Sequence, residues 1–378
     1  SRINRHPRRK TSTAKLSQAR GSLEGSGRVS DFAAAYETVL SRHALSAVEA
    51  ERAFGEVLDG DVVEVLTAAF LIALKLKGET GDEIAGCARA MRRRARSLKL
   101  GVEGLLDTCG TGGDNAGTFN ISTGAALIAA AAGVPVAKHG NRAISGKVGG
   151  ADVLEKFRIK IDCDPPVLRK CLRTAGCCFI FAPAYHPALA RLAPLRRTLA
   201  TRTLFNLMGP LVNPALPSRQ ITGVAEAQLF EEMARAIAVL GTEHAMVVHG
   251  LDGLDEISIS AETKVAEIRG ESISRYTIAP EQFGIERAGR SGLRANDAVH
   301  SAKLLRAALV GDEGGPAEDI LALNGGAAIY VGGKAASLAD GVVRAREIIA
   351  SERALEVIGE MRRITNGVAV SRKKAKAQ

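Results

Sequence analysis

The stretch Asp107-Thr-Cys-Gly-Thr-Gly-Gly-Asp114, followed by Thr118-Phe-Asn-Ile-Ser-Thr123, decides how this chain is read. Leu105 and Leu106 lead into it as a short apolar strand, and small apolar residues continue from 125 to 132 as a helix. Strand, glycine-rich bend and helix in that order let backbone N–H groups come close to a phosphate. Ser122 or Thr123 can cap the helix, whose N-terminus favours an anion. A lone glycine bend would be a plain turn. Here Asp114, Asn120 and flanking hydroxyls accompany Gly110, Gly112 and Gly113, which favours a pyrophosphate cradle. It is not a Walker loop, because no Gly-Lys-Ser/Thr follows.

Upstream of the bend, residues 31–98 are helical in pattern. Phe32, Tyr36, Val39 and Leu40 share one face; Val62, Leu66, Ala69, Phe70 and Ala73 repeat the spacing, as do Ile84, Cys87, Ala88 and Met91. Glycine turns at 60–61 and 78–81 separate these helices. Downstream, strands at 134–137, 178–181, 221–224 and 245–248 alternate with helices at 122–132, 151–157 and 166–174. Residues 258–278 alternate as antiparallel edge strands do, and 297–364 return to helices. The expected fold class is α/β: a large domain with a mostly parallel sheet, plus a small all-helical domain. The proline-rich stretch 183–217 reads as a crossing between the two. The expected limits are a basic arm at 1–28, a helical domain at 29–100 completed near 186–216, an α/β domain at 101–185 and 217–366, and a basic tail at 367–378.

Three further segments carry chemistry. Lys138-His-Gly-Asn-Arg-Ala-Ile-Ser145 lies at the end of the strand after the glycine bend, where open α/β sheets face their ligands. Lys138 and Arg142 offer cationic contacts to phosphates, and Asn141 and Ser145 polar ones. Asp252-Gly-Leu-Asp255-Glu256 follows another strand. Magnesium prefers carboxylate oxygens together with phosphates and water, so Asp255 and Glu256 are expected metal ligands. Tyr185-His-Pro, Arg196 and Arg202 follow a third strand; arginine suits a substrate carboxylate, although taken alone these arginines read as surface charges.

The formal charge of +10 suggests nucleic acid until it is located. Residues 1–30 carry +7 and the last eight residues +4, which leaves a body of −1. Basicity confined to two tails argues against a nucleic-acid surface on the folded part. No apolar run is long enough to span a membrane. The six cysteines show no metal-ligand spacing and no secreted framework, so reduced thiols and a cytoplasmic location are expected. The basic, acid-poor N-terminus also suits an organelle transit peptide.

Taken together, these residues resemble the anthranilate phosphoribosyltransferase family. The matching pieces are LKGET at 76–80, GTGGD at 110–114, TFNIST at 118–123, KHGNR at 138–142 and ADVLE at 151–155. FIFAPAYHPA at 179–188, TLFNLMGPLVNPA at 203–215 and HGLDGLDEIS at 249–258 complete them in the family's order. The resemblance implies transfer of a phosphoribosyl group from phosphoribosyl pyrophosphate to anthranilate, with Mg²⁺, in tryptophan biosynthesis, by a fold like that of the nucleoside phosphorylases. It also implies a homodimer formed through the helical part. By position, Gly110, Gly112, Gly113, Asp114, Thr118, Asn120, Ser122, Thr123, Lys138 and Ser145 would hold phosphoribosyl pyrophosphate. Ser122, Asp255 and Glu256 would serve magnesium, with Lys138, Asp255 and Glu256 the catalytic set. Gly110, His139, Asn141, Tyr185 and Arg196 would line the anthranilate path. Two departures stand out: Gly146 and Gly150 replace serines usual in the family, so weaker substrate binding is expected. The rival readings are a pyrimidine nucleoside phosphorylase, which the Asp255-Glu256 pair disfavours, and a non-catalytic nucleic-acid binder, which the near-neutral body disfavours.

Overall fold

The computed structural model describes residues 30–143, 148–311 and 314–367. The expected arm at 1–28, residues 368–378 of the tail, and Ser145 and Gly146 lie outside the described residues.

Four helices open the chain: α1 (Asp31–Leu40), α2 (Ala47–Asp59), α3 (Glu64–Lys77) and α4 (Gly81–Arg94). Local chemistry sets their ends. Ser46 and Glu49 form a reciprocal cap at the start of α2, and Gly60, with φ +88°, closes it. Thr80 and Glu83 form the same cap on α4. The Glu83 carboxylate is wholly buried and also accepts from Leu45 N (3.0 Å) and Lys77 Nζ (2.9 Å). The LKGET segment therefore turns the chain from α3 into α4 over the buried Glu83 carboxylate.

The α/β part follows: β1 (Leu106–Thr108), α5 (Ile121–Ala131), β2 (Val136–Gly140), α6 (Gly150–Lys156), α7 (Pro165–Ala175) and β3 (Cys177–Phe181). The crossing segment holds α8 (Ala182–Tyr185), α9 (Pro187–Leu199) and two 3-10 turns, with no strand. Then come β4 (Arg219–Gly223), α10 (Phe230–Leu240), β5 (His244–Gly250), β6 (Thr263–Arg269) and β7 (Ser272–Ile278). Helices α11 (Ala298–Val310), α12 (Pro316–Val331), α13 (Leu338–Ala350) and α14 (Arg353–Thr365) close the described chain. The strands form one sheet in the order β3-β2-β1-β4-β5-β6-β7. The pairs from β3 to β5 are parallel, and β6 and β7 pair antiparallel at the edge.

Side chains of β5 show how the sheet divides the core. Ala245 and Val247 join the helical unit, α10 and the crossing segment in one apolar cluster. Met246 and Val248 point the other way, into the cluster of α5 and α11–α14. All four are fully buried, so the helical unit and the sheet share one packed face. The strand expected at 134–137 runs instead from Val136 to Gly140. Lys138 and His139 thus belong to the strand's last residues, held by the ladder to β3, and not to a loose loop.

Candidate active site

Strands β1, β2, β4 and β5 are neighbours whose C-terminal ends open on one cavity of about 390 Å³. Gly110, Gly112, Gly113 and Asp114 line it from the loop after β1, and Thr118, Asn120 and Ser122 from the entrance to α5. Lys138, His139 and Asn141 line it from β2, Arg196 from α9, and Asp255 and Glu256 from the loop after β5. The sequence signals, 143 positions apart at their widest hydrogen-bonded pair, are therefore brought together.

That pair is Gly112 N donating to Asp255 Oδ2 at 2.8 Å. The glycine bend reaches it because Gly112 and Gly113 hold φ of +65° and +89°, conformations that glycine adopts without strain. Thr111 N donates to Gly223 O (2.8 Å), tying the bend to the end of β4. A Cβ on Gly110 would stand 2.7 Å from Asp255 Oδ2, and one on Gly223 only 1.5 Å from Asp255 O. Both glycines are there so that the Asp255–Glu256 main chain can press against the sheet.

The carboxylates are electrostatically loaded. Burial, then the Asp114 charge, pushes Asp255 up to about 7, although Gly112 N pulls the other way. Burial and Asp255 push Glu256 well above the usual carboxylate range, against the Lys138 charge and a hydrogen bond from the Ser122 amide. Buried oxygens of one sign recover their ionised state when a cation joins them. Hard carboxylate oxygens suit magnesium, which takes its remaining ligands from phosphates and water. Among the described residues no three His, Cys, Asp or Glu side chains are grouped so as to hold a metal ion by themselves.

Lys138 is buried, and its ammonium donates to Thr108 O, to Ser122 Oγ (3.2 Å) and to Thr108 Oγ1 (3.4 Å). The Thr108 hydroxyl donates in turn to Ser122 O at 2.9 Å. The lysine is thus aimed between β1 and the α5 N-terminus. Asp107, missed in the sequence, holds the neighbouring strand. It accepts from His139 N (3.1 Å) and Asn213 Nδ2 (2.9 Å), and burial raises it to about 6.

On the opposite wall His139 and His186 meet edge to face, 5.4 Å between ring centres. Nδ1 of His139 is taken by Gly209 O at 3.0 Å, while Nε2 of both rings is buried without a partner. Burial lowers both imidazoles to about 4, so both are neutral at physiological pH. Arg196 is the cation on this wall. Burial lowers its pKa, and no described residue pairs with it.

Some expected residues stand apart. Thr123 is buried behind the cavity, its hydroxyl donating to Asn120 Oδ1, and does not line it. Tyr185 is also buried outside the lining, in the cluster with Leu98 and Ile180. Arg142 lines the cavity, and its guanidinium is engaged by Glu155 (2.5 and 2.7 Å) and Asp152 (3.4 Å). Asn141 Oδ1 accepts from Arg142 N at 2.8 Å. Gly150 sits against the Thr123 hydroxyl: a Cβ there would be 3.2 Å from Oγ1.

Two family models match this chain: the helical bundle domain of a glycosyl transferase family over residues 34–95, and its a/b domain over residues 102–355. An anthranilate phosphoribosyltransferase of Rubrobacter xylanophilus is 46% identical over 325 residues, 86% of this chain and 95% of the relative. One from Cellvibrio japonicus is 48% identical over 312 residues, 82% and 91% of the two chains. The crystal structure of the Thermus thermophilus enzyme superposes with a TM-score of 0.83 at 40% identity, over 88% of this chain and 99% of that one. The Saccharomyces cerevisiae enzyme in complex with phosphoribosyl pyrophosphate and magnesium does so with 0.80 at 25% identity, over 89% and 98%. With its loops converging on one cavity and with relatives matched nearly end to end, the chain belongs to the anthranilate phosphoribosyltransferase family.

Proposed function

We infer that this protein transfers the 5-phosphoribosyl group of phosphoribosyl pyrophosphate to the amine of anthranilate, releasing pyrophosphate, a step of tryptophan biosynthesis. The observation that carries this reading is the bond from the glycine bend to Asp255, which joins an anion cradle and a carboxylate pair in one cavity.

Gly112, Gly113, Asn120, Ser122 and Lys138 are assigned to the phosphates of the donor, with Thr118 and Gly110 shaping the wall. Asp255 and Glu256 hold Mg²⁺, helped by Ser122, and Asp114 adds charge beside them. Bound there, magnesium neutralises the negative charge that gathers on the leaving pyrophosphate. Lys138 stabilises that same charge from the strand side, where its position is fixed before reaction. Neutral His139 and His186, with Asn141, line the acceptor side, and Arg196 meets the carboxylate. The aromatic amine is already a neutral nucleophile, so these residues orient it and exclude water. Thr123 acts through Asn120, and Tyr185 through the wall it packs.

The domain limits proposed are 29–100 with 186–216, and 101–185 with 217–366. A homodimer through the helical part is supported by apolar residues it leaves open, Val63 at 60%, Val65 at 77% and Leu76 at 83% exposure. A cytoplasmic location is supported by six free cysteines. No helix among the described residues is long and apolar enough to cross a membrane.

The decisive assay is the loss of anthranilate fluorescence on mixing with phosphoribosyl pyrophosphate. Turnover is expected with Mg²⁺ and not after chelation. No turnover under either condition would overturn the reading.

A further inference from the structure

We propose that Arg202 is a leaving-group ligand: its guanidinium closes the glycine cradle and takes an oxygen of the departing pyrophosphate. This rests on the reading of the cavity as the phosphoribosyl pyrophosphate site. Arg202 stands just after α9, on the segment that returns from the helical unit to the sheet. Its main chain is tied to the helical side, where Lys75 Nζ donates to Arg202 O (2.8 Å) and to Thr201 Oγ1 (3.0 Å). Its side chain crosses to the α/β side, where Nε donates to Glu226 Oε1 at 2.9 Å, three residues beyond β4. The guanidinium lies on the glycine bend itself. A methyl group on Gly113 would fall 1.6 Å from Nη1, so the absence of a side chain there is what admits the arginine.

One edge of the fork is therefore spent on orientation, and the other is not satisfied. Nη2 is buried and has no acceptor among the described residues. A buried guanidinium donor left without a partner is costly, and the ligand that satisfies it is an oxyanion, which the planar fork fits with two parallel bonds. Two oxyanions belong to this reaction. The carboxylate of the acceptor has Arg196, a cation with no partner among the described residues, on the wall with the two histidines. Arg202 packs on Gly113, next to Gly112 and Asp114, where the pyrophosphate is cradled. The same residue thus joins the leaving group to α3 of the helical unit through Lys75.

The test compares wild type with Arg202→Met, which keeps the aliphatic stem, Arg202→Gln and Arg202→Lys. The readouts are the KM for each substrate, inhibition by inorganic pyrophosphate with Mg²⁺, and the thermal midpoint. Loss of charge-assisted bonds predicts a rise of about 10- to 100-fold in both the KM for phosphoribosyl pyrophosphate and the pyrophosphate inhibition constant. The anthranilate KM should stay within about twofold, and Arg202→Lys should recover part of the loss. If Arg202→Gln does not fold, Arg202→Met carries the comparison. Unchanged pyrophosphate inhibition in a folded variant, or an equal rise in the anthranilate KM, overturns the assignment. Absence of anthranilate-dependent turnover in the wild type would instead sink the parent reading.

Discussion

Gly223 ends β4, and its replacement by alanine tests the geometry of the metal loop without touching a charged group. Its φ lies outside the left-handed region, so alanine meets no backbone penalty there. The obstacle is space. The new Cβ would lie 1.5 Å from Asp255 O and 2.3 Å from Asp255 C, whereas such contacts do not fall below 3.0 Å. The Asp255 main chain must therefore retreat by about 1.5 Å, since no flexible side-chain end is available to give way. A retreat of that size breaks the 2.8 Å bond from Gly112 N to Asp255 Oδ2 and carries Glu256 away from Lys138 and Ser122. Displacement of about 1 Å at a reacting centre costs on the order of 100-fold, and overpacking costs about 1–3 kcal/mol of stability. Gly223→Ala should remain folded, lose about 100-fold or more in kcat, and need more Mg²⁺ for half-maximal rate. Anthranilate fluorescence assays across a magnesium titration, with a urea melt for stability, measure all three. Near-normal kcat with an unchanged magnesium requirement would show that the loop does not depend on this contact.

Three other variants probe separate parts. Asp255→Asn with Glu256→Gln should abolish turnover yet stabilise the metal-free protein: because the folded pKa of Asp255 is raised to about 7, its penalty grows as pH rises from about 4 through 7. The gap in melting temperature from wild type should widen over that range in chelator, and a constant gap would refute the electrostatic account. Arg196→Ala should raise the anthranilate KM far more than the donor KM, because it removes an unpaired cation from the acceptor wall; equal rises would count against it. Glu267 is held down to about 2, first by His244 (2.9 Å) and then by Tyr276 (2.7 Å) and Tyr330 (2.9 Å). Its stabilisation is present above about pH 4.5 and lost as pH falls through 2, so Glu267→Gln should cost roughly 2–3 kcal/mol at pH 7. The two proteins should converge near pH 2 in urea melts, and parallel profiles would argue against the network.

Much of the site could be read before any coordinates, because its signals are local. The glycine bend, the lysine at a strand end and the adjacent carboxylates each carry their chemistry within a few residues. What stayed hidden depends on which strands become neighbours. Asp107 meets Asn213 across 106 positions, and Gly223 meets Asp255 because β4 lies between β1 and β5. No local pattern distinguishes that glycine from one in a turn. Arg142 carries a second signal that the sequence did not show: its residue type suits a phosphate, and the first turn and the end of α6 supply Asp152 and Glu155, which engage the guanidinium. The helices were legible in outline, with the ends of α5, α6 and α7 within a residue or two of the expected limits, since periodicity fixes a face more firmly than an end.

The strand order explains why a crossing segment without a strand holds so much of the site. From β1 the chain builds outward through β2 to β3, then must return to the far side of β1 to place β4. At such a reversal the connections leave the sheet in opposite directions, and a crevice opens at the strand C-termini between them. The returning segment, from Ala182 to the start of β4, has to pass that crevice. Along the way it packs on the helical unit through Leu192, Leu195 and Phe205, and turns His186, Arg196 and Arg202 toward the cavity. The packing of the helical unit is therefore linked, through one covalent segment, to the residues assigned to both substrates. Substrate-dependent protection of 187–206 in hydrogen exchange is the consequence, and a segment equally protected with and without ligand would mean that it is a fixed wall.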